Sequence, residues 1–367
     1  MRVQVVDPSA FTPAYDHALC AALGMAGAQT ELVTSAFAYG TVPDPAGYER
    51  RELFYRHVPG AAGSRLRQAG KLLEHVPDML RYRHDAGRAD IVHFQWLDVP
   101  WLDRALLPRR PIVLTAHDLL PREPRPGQVR AQRRLFDAVD ALITHSQYGR
   151  AQLVDRLGVR AEKVHVIHHG AFAHLTSLPH EDPLPEELRA VRAPVVLFFG
   201  LLRPYKGIEV LLEAWRGIVG AELWIVGRPR MALGPLRAGA PASVRFVPRY
   251  VSDTEVPAFF RRADIVVLPY SRTERFDQSG VLATALAFAK PVVMSDVGGF
   301  GEVARTGAGL LVPPGDAEAL RGALTALIAD PAARERLAAA AASAAARDYS
   351  WAEAARRTLA LYEGLLR

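Results

Sequence analysis

VVLFFGLLRPYKGIEVLLEAW, Val195 to Trp215, decides how the chain is read. Five apolar strand-forming residues stop at Gly200. A short turn then carries Arg203 and Lys206, and apolar residues recur at helical spacing as far as Trp215. Strand, glycine turn and helix together form the unit from which parallel sheets with crossover helices are built. At such a turn the backbone N–H groups and the helix dipole favour an anion, and two cations three residues apart can converge on one diphosphate. An isolated Arg-x-x-Lys is more often solvated surface charge; here a strand, two glycines and a long helix frame it.

The same pattern extends in both directions. Downstream come ELWIVG at Glu222, VRFVP at Val244, DIVVLPY at Asp264, PVVMSD at Pro291 and AGLLVP at Ala308. Upstream lie VQVV at Val3, DIVHF at Asp90, PIVLTAH at Pro111, ALITHS at Ala141 and VHVIHHG at Val164, separated by helix-like segments. Residues 173–194 lose strand periodicity and concentrate proline and acidic residues, which predicts an interdomain linker there. The expected architecture is α/β, with Rossmann-like domains over 1–180 and 190–348 and an amphipathic helix over 349–367 behind a cap at Ser350. Open α/β sheets bind ligands at the carboxyl ends of their strands, so the site is expected in a cleft between the domains.

Composition narrows the classes. At 367 residues, half of them apolar, the chain is long enough for two cores. One cysteine, Cys20, rules out an internal disulfide framework and a thiolate zinc site, and there is no asparagine to glycosylate. The N-terminus has no signal-peptide pattern, and no apolar run approaches the roughly 20 residues that span a bilayer, so a cytoplasmic protein is expected. The formal charge of +6 is carried almost wholly by arginine, since the lysines are Lys71, Lys163, Lys206 and Lys290. This fits anionic partners or simply a GC-rich genome. The segment Ser64 to His84 sets Arg65, Arg67, Lys71, Arg81 and Arg83 beside leucines, a pattern suited to peripheral contact with an anionic membrane or to a solvated face. The arginine-rich stretch from Pro121 to Arg134 lacks interleaved aromatics and reads as surface, so no nucleic-acid partner is expected. No strand is followed by GxGxxG with an acid about 20 residues on, which sets aside a nicotinamide dehydrogenase.

A second anion cradle appears in DQSGVLATALAFAKPVVMSDVGG, Asp277 to Gly299. There Ser279 and Gly280 open a helix whose first N–H groups, on Gly280, Val281 and Leu282, are expected to face the same phosphates as Arg203 and Lys206. In the first half, His117 ends a buried strand in LTAHD, and His145, His168 and His169 end the next two. A histidine there can donate to a ligand hydroxyl and titrates near neutrality. With no carboxylate at ligand spacing, no metal is expected.

The order FGLLRPYKG, DIVVLPY, SGVL, KPVVMSDVGGFGE and GLLVPPGD resembles the C-terminal half of GT-B glycosyltransferases of family 4, strongly over about residues 195–330. TAHD, HSQYGR and the final SWAEAARRTLALY are similar in layout to the rest. The resemblance implies a GT-B fold with a C-terminal helix crossing back to the first domain, and transfer of a sugar from a UDP-, GDP-, ADP- or dTDP-sugar to an unidentified acceptor hydroxyl, with retention and no required cofactor. It also implies that Arg203 and Lys206 hold the diphosphate, that Gly200, Gln278, Ser279, Gly280, Val281 and Leu282 line the donor, and that Arg249 and Tyr250 border its base. His117 would touch sugar and acceptor, while Pro13, Tyr15, Asp16, His145 and His169 would stand on the acceptor side. Gly298, Gly299 and Glu302 look like the family's GGxxE turn. The family's two usual glutamates fall, counted from KPVV, on Phe276 and Thr284. Asp277 is then expected to contact the donor sugar and Thr284 to offer the ribose one neutral hydrogen bond, whereas Glu274 would need a shifted loop. This departure keeps a non-catalytic nucleotide-sugar-binding relative, an epimerase or a phosphorylase as alternatives.

Overall fold

The computed structural model describes residues 1–60, 64–120, 126–272 and 277–367. Glu274 and Phe276, and residues 121–125 of the arginine-rich stretch, lie outside them. The chain divides into two compact units. One comprises Met1–His168, Trp351–Arg367 and a short stretch ending at Asp277; the other comprises His169–Thr273 and Gln278–Ser350.

The first unit holds a seven-stranded parallel sheet of β1 (Arg2–Asp7), β2 (Gln29–Ser35), β3 (Glu49–Phe54), β4 (Ile91–Phe94), β5 (Ile112–Thr115), β6 (Ala141–Thr144) and β7 (Val164–Val166), in the order 3-2-1-4-5-6-7. The inner strands are buried along their whole length because helices cover both faces, as parallel sheets require. Phe54, Tyr82, Phe94 and Phe136 fill its core. Helix Pro13–Met25 starts on a proline, whose missing N–H costs nothing at that position. Ser64 caps helix Arg65–Asp85 by accepting from Arg67 N at 3.2 Å. The last helix, Trp351–Leu365, packs on helix Pro13–Met25, and its Tyr362 hydroxyl lies 2.6 Å from His93 Nδ1.

The second unit holds six parallel strands, β8 (Val195–Phe199), β9 (Glu222–Val226), β10 (Val244–Val247), β11 (Ile265–Leu268), β12 (Val292–Ser295) and β13 (Gly309–Val312), in the order 10-9-8-11-12-13. Phe198, Trp215 and Ile225 centre its core. The changeover between units falls at His168 and His169, ahead of the stretch read as a linker. Those proline- and acid-rich residues belong to the second unit: Glu181 pairs with Arg261 at 2.6 Å, and Thr254 Oγ1 donates to Asp182 at 2.5 Å.

Candidate functional site

In a doubly wound sheet the ligand crevice opens where the strand order reverses. For the second unit that point lies between β8 and β11, and the residues after those strands converge. Gly200 has φ +103°, and a Cβ there would meet Lys206 Nζ at 3.0 Å and Val281 Cγ2 at 3.1 Å. The amine and the first turn of helix Gly280–Ala287 therefore meet over a backbone that must stay bare. Gly227, after β9, has φ +141°, and a Cβ on it would come within 1.9 Å of Gly200 O, so this approach is possible only for glycine.

Lys206 is 6% exposed, and its Nζ sits 5.1 Å from the centroid of the Tyr270 ring. The Tyr270 hydroxyl lies 3.1 Å from Ser279 Oγ, and no side chain caps helix Gly280–Ala287. Arg203 Nε is buried with no hydrogen-bond partner among the described residues, a state that costs about 1–3 kcal/mol. Two cations and a helix start without a side-chain cap lie in this one unit, and such groups favour an anion.

The other donor-side residues are more occupied than their positions suggest. Thr284 Oγ1 donates to Gly280 O at 2.8 Å, satisfying its own helix, so its proton is spent there and not on a ligand. Gln278 Oε1 accepts from Ser279 N at 3.0 Å. Arg249 forks onto Glu255 at 2.6 and 3.0 Å, which turns it from a free cation into a brace for its loop, while Tyr250 stays exposed. Gly298 and Glu302 flank the start of helix Phe300–Ala304, after β12.

In the first unit His117 Nε2 lies 3.0 Å from Gln95 Oε1, and His117 Nδ1 lies 3.4 Å from His145 Nε2. His145 Nδ1 is 2.9 Å from Ile167 O. Trp96 stacks on the His117 ring at 5.0 Å and Tyr15 meets it edge-on at 4.7 Å. Burial lowers the His145 pKa, against the opposing pull of Asp277, so the ring is neutral at ordinary pH. His169 belongs to the second unit, where its Nδ1 lies 2.8 Å from Gly170 O.

Three further expectations change here. Asp277, expected on the donor sugar, is fully buried. It accepts from Thr144 Oγ1 at 2.7 Å and His145 N at 2.6 Å and also from Ser146 Oγ, so its oxygens are consumed in fastening the turn after β6. Gly149 leaves room for that carboxylate, since a Cβ would lie 2.8 Å from it. Tyr15 and Asp16, expected to line an acceptor pocket, point inward and are buried. Burial and the neighbouring Asp7 raise the Asp16 pKa well above the usual carboxylate range, and Asp16 shares a hydrogen bond with Asp7. Asp7 in turn accepts from the N–H groups of Ser9 at 3.2 Å, Phe11 at 2.6 Å and Thr12 at 3.2 Å, so the loop before Pro13 is wound around a carboxylate of the chain itself.

Sequence reasoning passed over Gln95, Trp96, Gly149 and Tyr270. Trp96 and Tyr270 each follow a strand closely, in DIVHFQW and DIVVLPY, and that position was the available signal.

The family described as Glycosyltransferase Family 4 matches residues 15–171, and the one described as Glycosyl transferases group 1 matches residues 193–330. A phosphatidyl-myo-inositol mannosyltransferase of Mycobacterium leprae is 39% identical over 46% of this chain and 46% of its own length. A D-inositol 3-phosphate glycosyltransferase of Catenulispora acidiphila is 31% identical over 66% and 61%. One from Xylanimonas cellulosilytica is 30% identical over 94% of this chain and 89% of its own. The first two matches thus span less than two thirds of those relatives. Among solved structures, sucrose-phosphate synthase from Thermosynechococcus elongatus superposes with a TM-score of 0.75 at 19% identity, covering 100% of this chain and 99% of that one. Anabaena HepE in complex with UDP-glucose gives 0.75 at 20%, covering 99% and 100%. These likenesses place the fold among GT-B glycosyltransferases.

Proposed function

The chain belongs to glycosyltransferase family 4, and on that premise we propose that it moves a glycosyl group from a nucleoside diphosphate sugar to an acceptor hydroxyl with retention of configuration. The observation that carries this reading is the meeting of Lys206 Nζ, Gly200 and the start of helix Gly280–Ala287, in the unit that also holds Arg203, whose Nε has no partner among the described residues. Breaking the sugar–phosphate bond builds negative charge on the leaving diphosphate oxygen. Fixed cations and helix N–H groups stabilise that charge without having to reorganise. This chemistry asks for no metal. In the retaining step the acceptor oxygen attacks the anomeric carbon from the face the diphosphate leaves, and a phosphate oxygen takes the acceptor's proton. His117, oriented by Gln95 and His145, orients sugar and acceptor hydroxyls. Anabaena HepE was solved with UDP-glucose, which makes a uridine donor the first to test.

The test is product analysis with UDP-glucose and GDP-mannose, with and without hydroxyl acceptors that include inositol 3-phosphate. Transfer with the donor's anomeric configuration supports the reading. Epimerised donor without acceptor, or binding without turnover, replaces it.

A second reading concerns placement. Helix Arg65–Asp85 leaves Leu66, Leu72, Leu73 and Leu80 more than half exposed beside its arginines, which suits peripheral contact with the anionic inner face of a plasma membrane. No helix among the described residues is long and apolar enough to cross a membrane. Co-sedimentation with phosphatidylglycerol vesicles, lost in a Leu72→Ser/Leu73→Ser variant, checks it.

A further inference from the structure

β7 is an outer strand of the first unit's sheet. Along it runs an open groove of about 870 Å³, completed by the short helix Gln147–Ala151 and by the last helix, Trp351–Leu365. Every residue that lines it belongs to the first unit, and none is part of the constellation around His117.

An edge strand presents backbone groups that can pair with another chain, and proteins protect such edges with lysine, proline or a cover. β7 contains neither lysine nor proline. Lys163, just before it, is turned to its own unit, donating to Asp137 O at 2.8 Å and Val139 O at 2.6 Å. Successive residues of a strand turn their N–H and C=O groups to alternate sides. Ile167 N–H donates to Thr144 O at 2.9 Å, so Ile167 and His165 face β6, and Val164 and Val166 face the groove. The Val164 N–H goes to Ala161 O, which leaves half-buried Val166 to donate as well as accept there.

The groove is also cationic. The Arg150 side chain has neither a hydrogen bond nor an ion pair among the described residues. Arg356 and Arg357 share one carboxylate, Glu353, at 2.7 and 2.6 Å, so one charge of that pair is left over. Glu162 is already answered by Arg160 at 3.3 Å. Leu361 and Leu365 join Val166 in the apolar part. A lipid headgroup or a free phosphate answers the arginines but cannot answer both the donor and the acceptor of Val166, whereas a peptide strand answers all of them. A strand three residues long offers few backbone bonds, so charge has to supply much of the affinity.

We infer that this groove docks an extended acidic segment of a partner protein, which adds as a strand to the edge of β7 and sets carboxylates against Arg150 and the Arg356–Arg357 pair. Alternate side chains of such a segment point to opposite faces, which suits a sequence that alternates acidic with apolar residues. The docking is independent of the transferase reading, because no groove residue belongs to the anion site.

Fluorescence anisotropy on the full chain tests it with two labelled peptides of equal length and charge, one alternating valine with glutamate and one alternating proline with glutamate. Wild type is expected to bind the first, and the second about tenfold more weakly or not at all, since proline has no N–H for the ladder. Arg150→Glu reverses a charge, and Val166→Pro removes the outward N–H at an edge position that tolerates proline. Each is expected to weaken the valine–glutamate peptide by about tenfold while UDP affinity stays unchanged. Should melting show that Val166→Pro disturbs the fold, Arg150→Glu and the proline–glutamate peptide carry the test. The inference is overturned by a wild type that binds neither peptide or both equally, or by an Arg150→Glu variant that binds like wild type. Binding of dodecyl phosphate in place of the peptide would assign the groove to a lipid and overturn it too. A wild type that binds the peptide but not UDP counts against the diphosphate reading alone.

Discussion

Replacing Arg203 with methionine should separate stability from binding. Among the described residues the buried Nε of Arg203 has no acceptor, and an unpaired donor of this kind costs about 1–3 kcal/mol. Methionine is similarly long, unbranched and apolar, so the substitution removes that cost while keeping much of the packing. Each 1 kcal/mol recovered raises the melting temperature by roughly 2–4 °C for a domain of 150–250 residues, so the unliganded variant should melt no lower than wild type. Binding moves the other way. A hydrogen bond to a charged group contributes about 1.5–3 kcal/mol, and losing it weakens nucleoside diphosphate affinity by roughly 10- to 150-fold. Calorimetric titration with UDP and GDP, alongside melting without ligand, reads both quantities. A variant that melts several degrees lower yet binds nucleotide like wild type would show that Arg203 is a structural cation and not a phosphate ligand.

Other consequences follow from particular contacts. Gly227→Ala puts a methyl 1.9 Å from Gly200 O, and thermal unfolding should show a loss of about 2–4 kcal/mol. Asp277→Ala strands the Thr144 and Ser146 hydroxyls and the His145 N–H, costing about 3–5 kcal/mol by denaturant titration, whereas Asp277→Asn keeps an acceptor oxygen and loses less. Burial, helped by the like charge of His145, pushes the His93 pKa down to about 3. Between that value and the ordinary 6.5 the unfolded chain binds the extra proton. His93 therefore removes stability as pH falls below about 6.5, by up to about 1.4 kcal/mol per unit, and a His93→Gln variant should show a shallower acid limb by about one proton. Equal slopes in the two proteins would refute the assignment.

Much of the architecture is legible in the chain. Strands covered on both faces read as apolar runs, and glycines and prolines punctuate them, so VVLFFG to LLEAW announces strand, turn and helix. The convergence at Lys206 follows from the same local grammar. What stays hidden depends on distant partners. Nothing near Asp277 tells that its carboxylate meets Thr144, 133 residues earlier, or that Gly149 is bare to admit it. The inward turn of Asp16 likewise depends on Asp7, which claims the loop between them. The proline-rich stretch reads as a linker by composition, yet two side-chain contacts, from Glu181 and Asp182, fasten it to the second unit. Chemistry set by adjacent residues was readable; chemistry set by packing was not.

The most direct measurement is a crystal structure with UDP or GDP bound. The account predicts the diphosphate within hydrogen-bonding distance of Arg203 and Lys206, its oxygens also accepting from first-turn N–H groups of helix Gly280–Ala287. A nucleotide whose phosphates touch neither cation would contradict it.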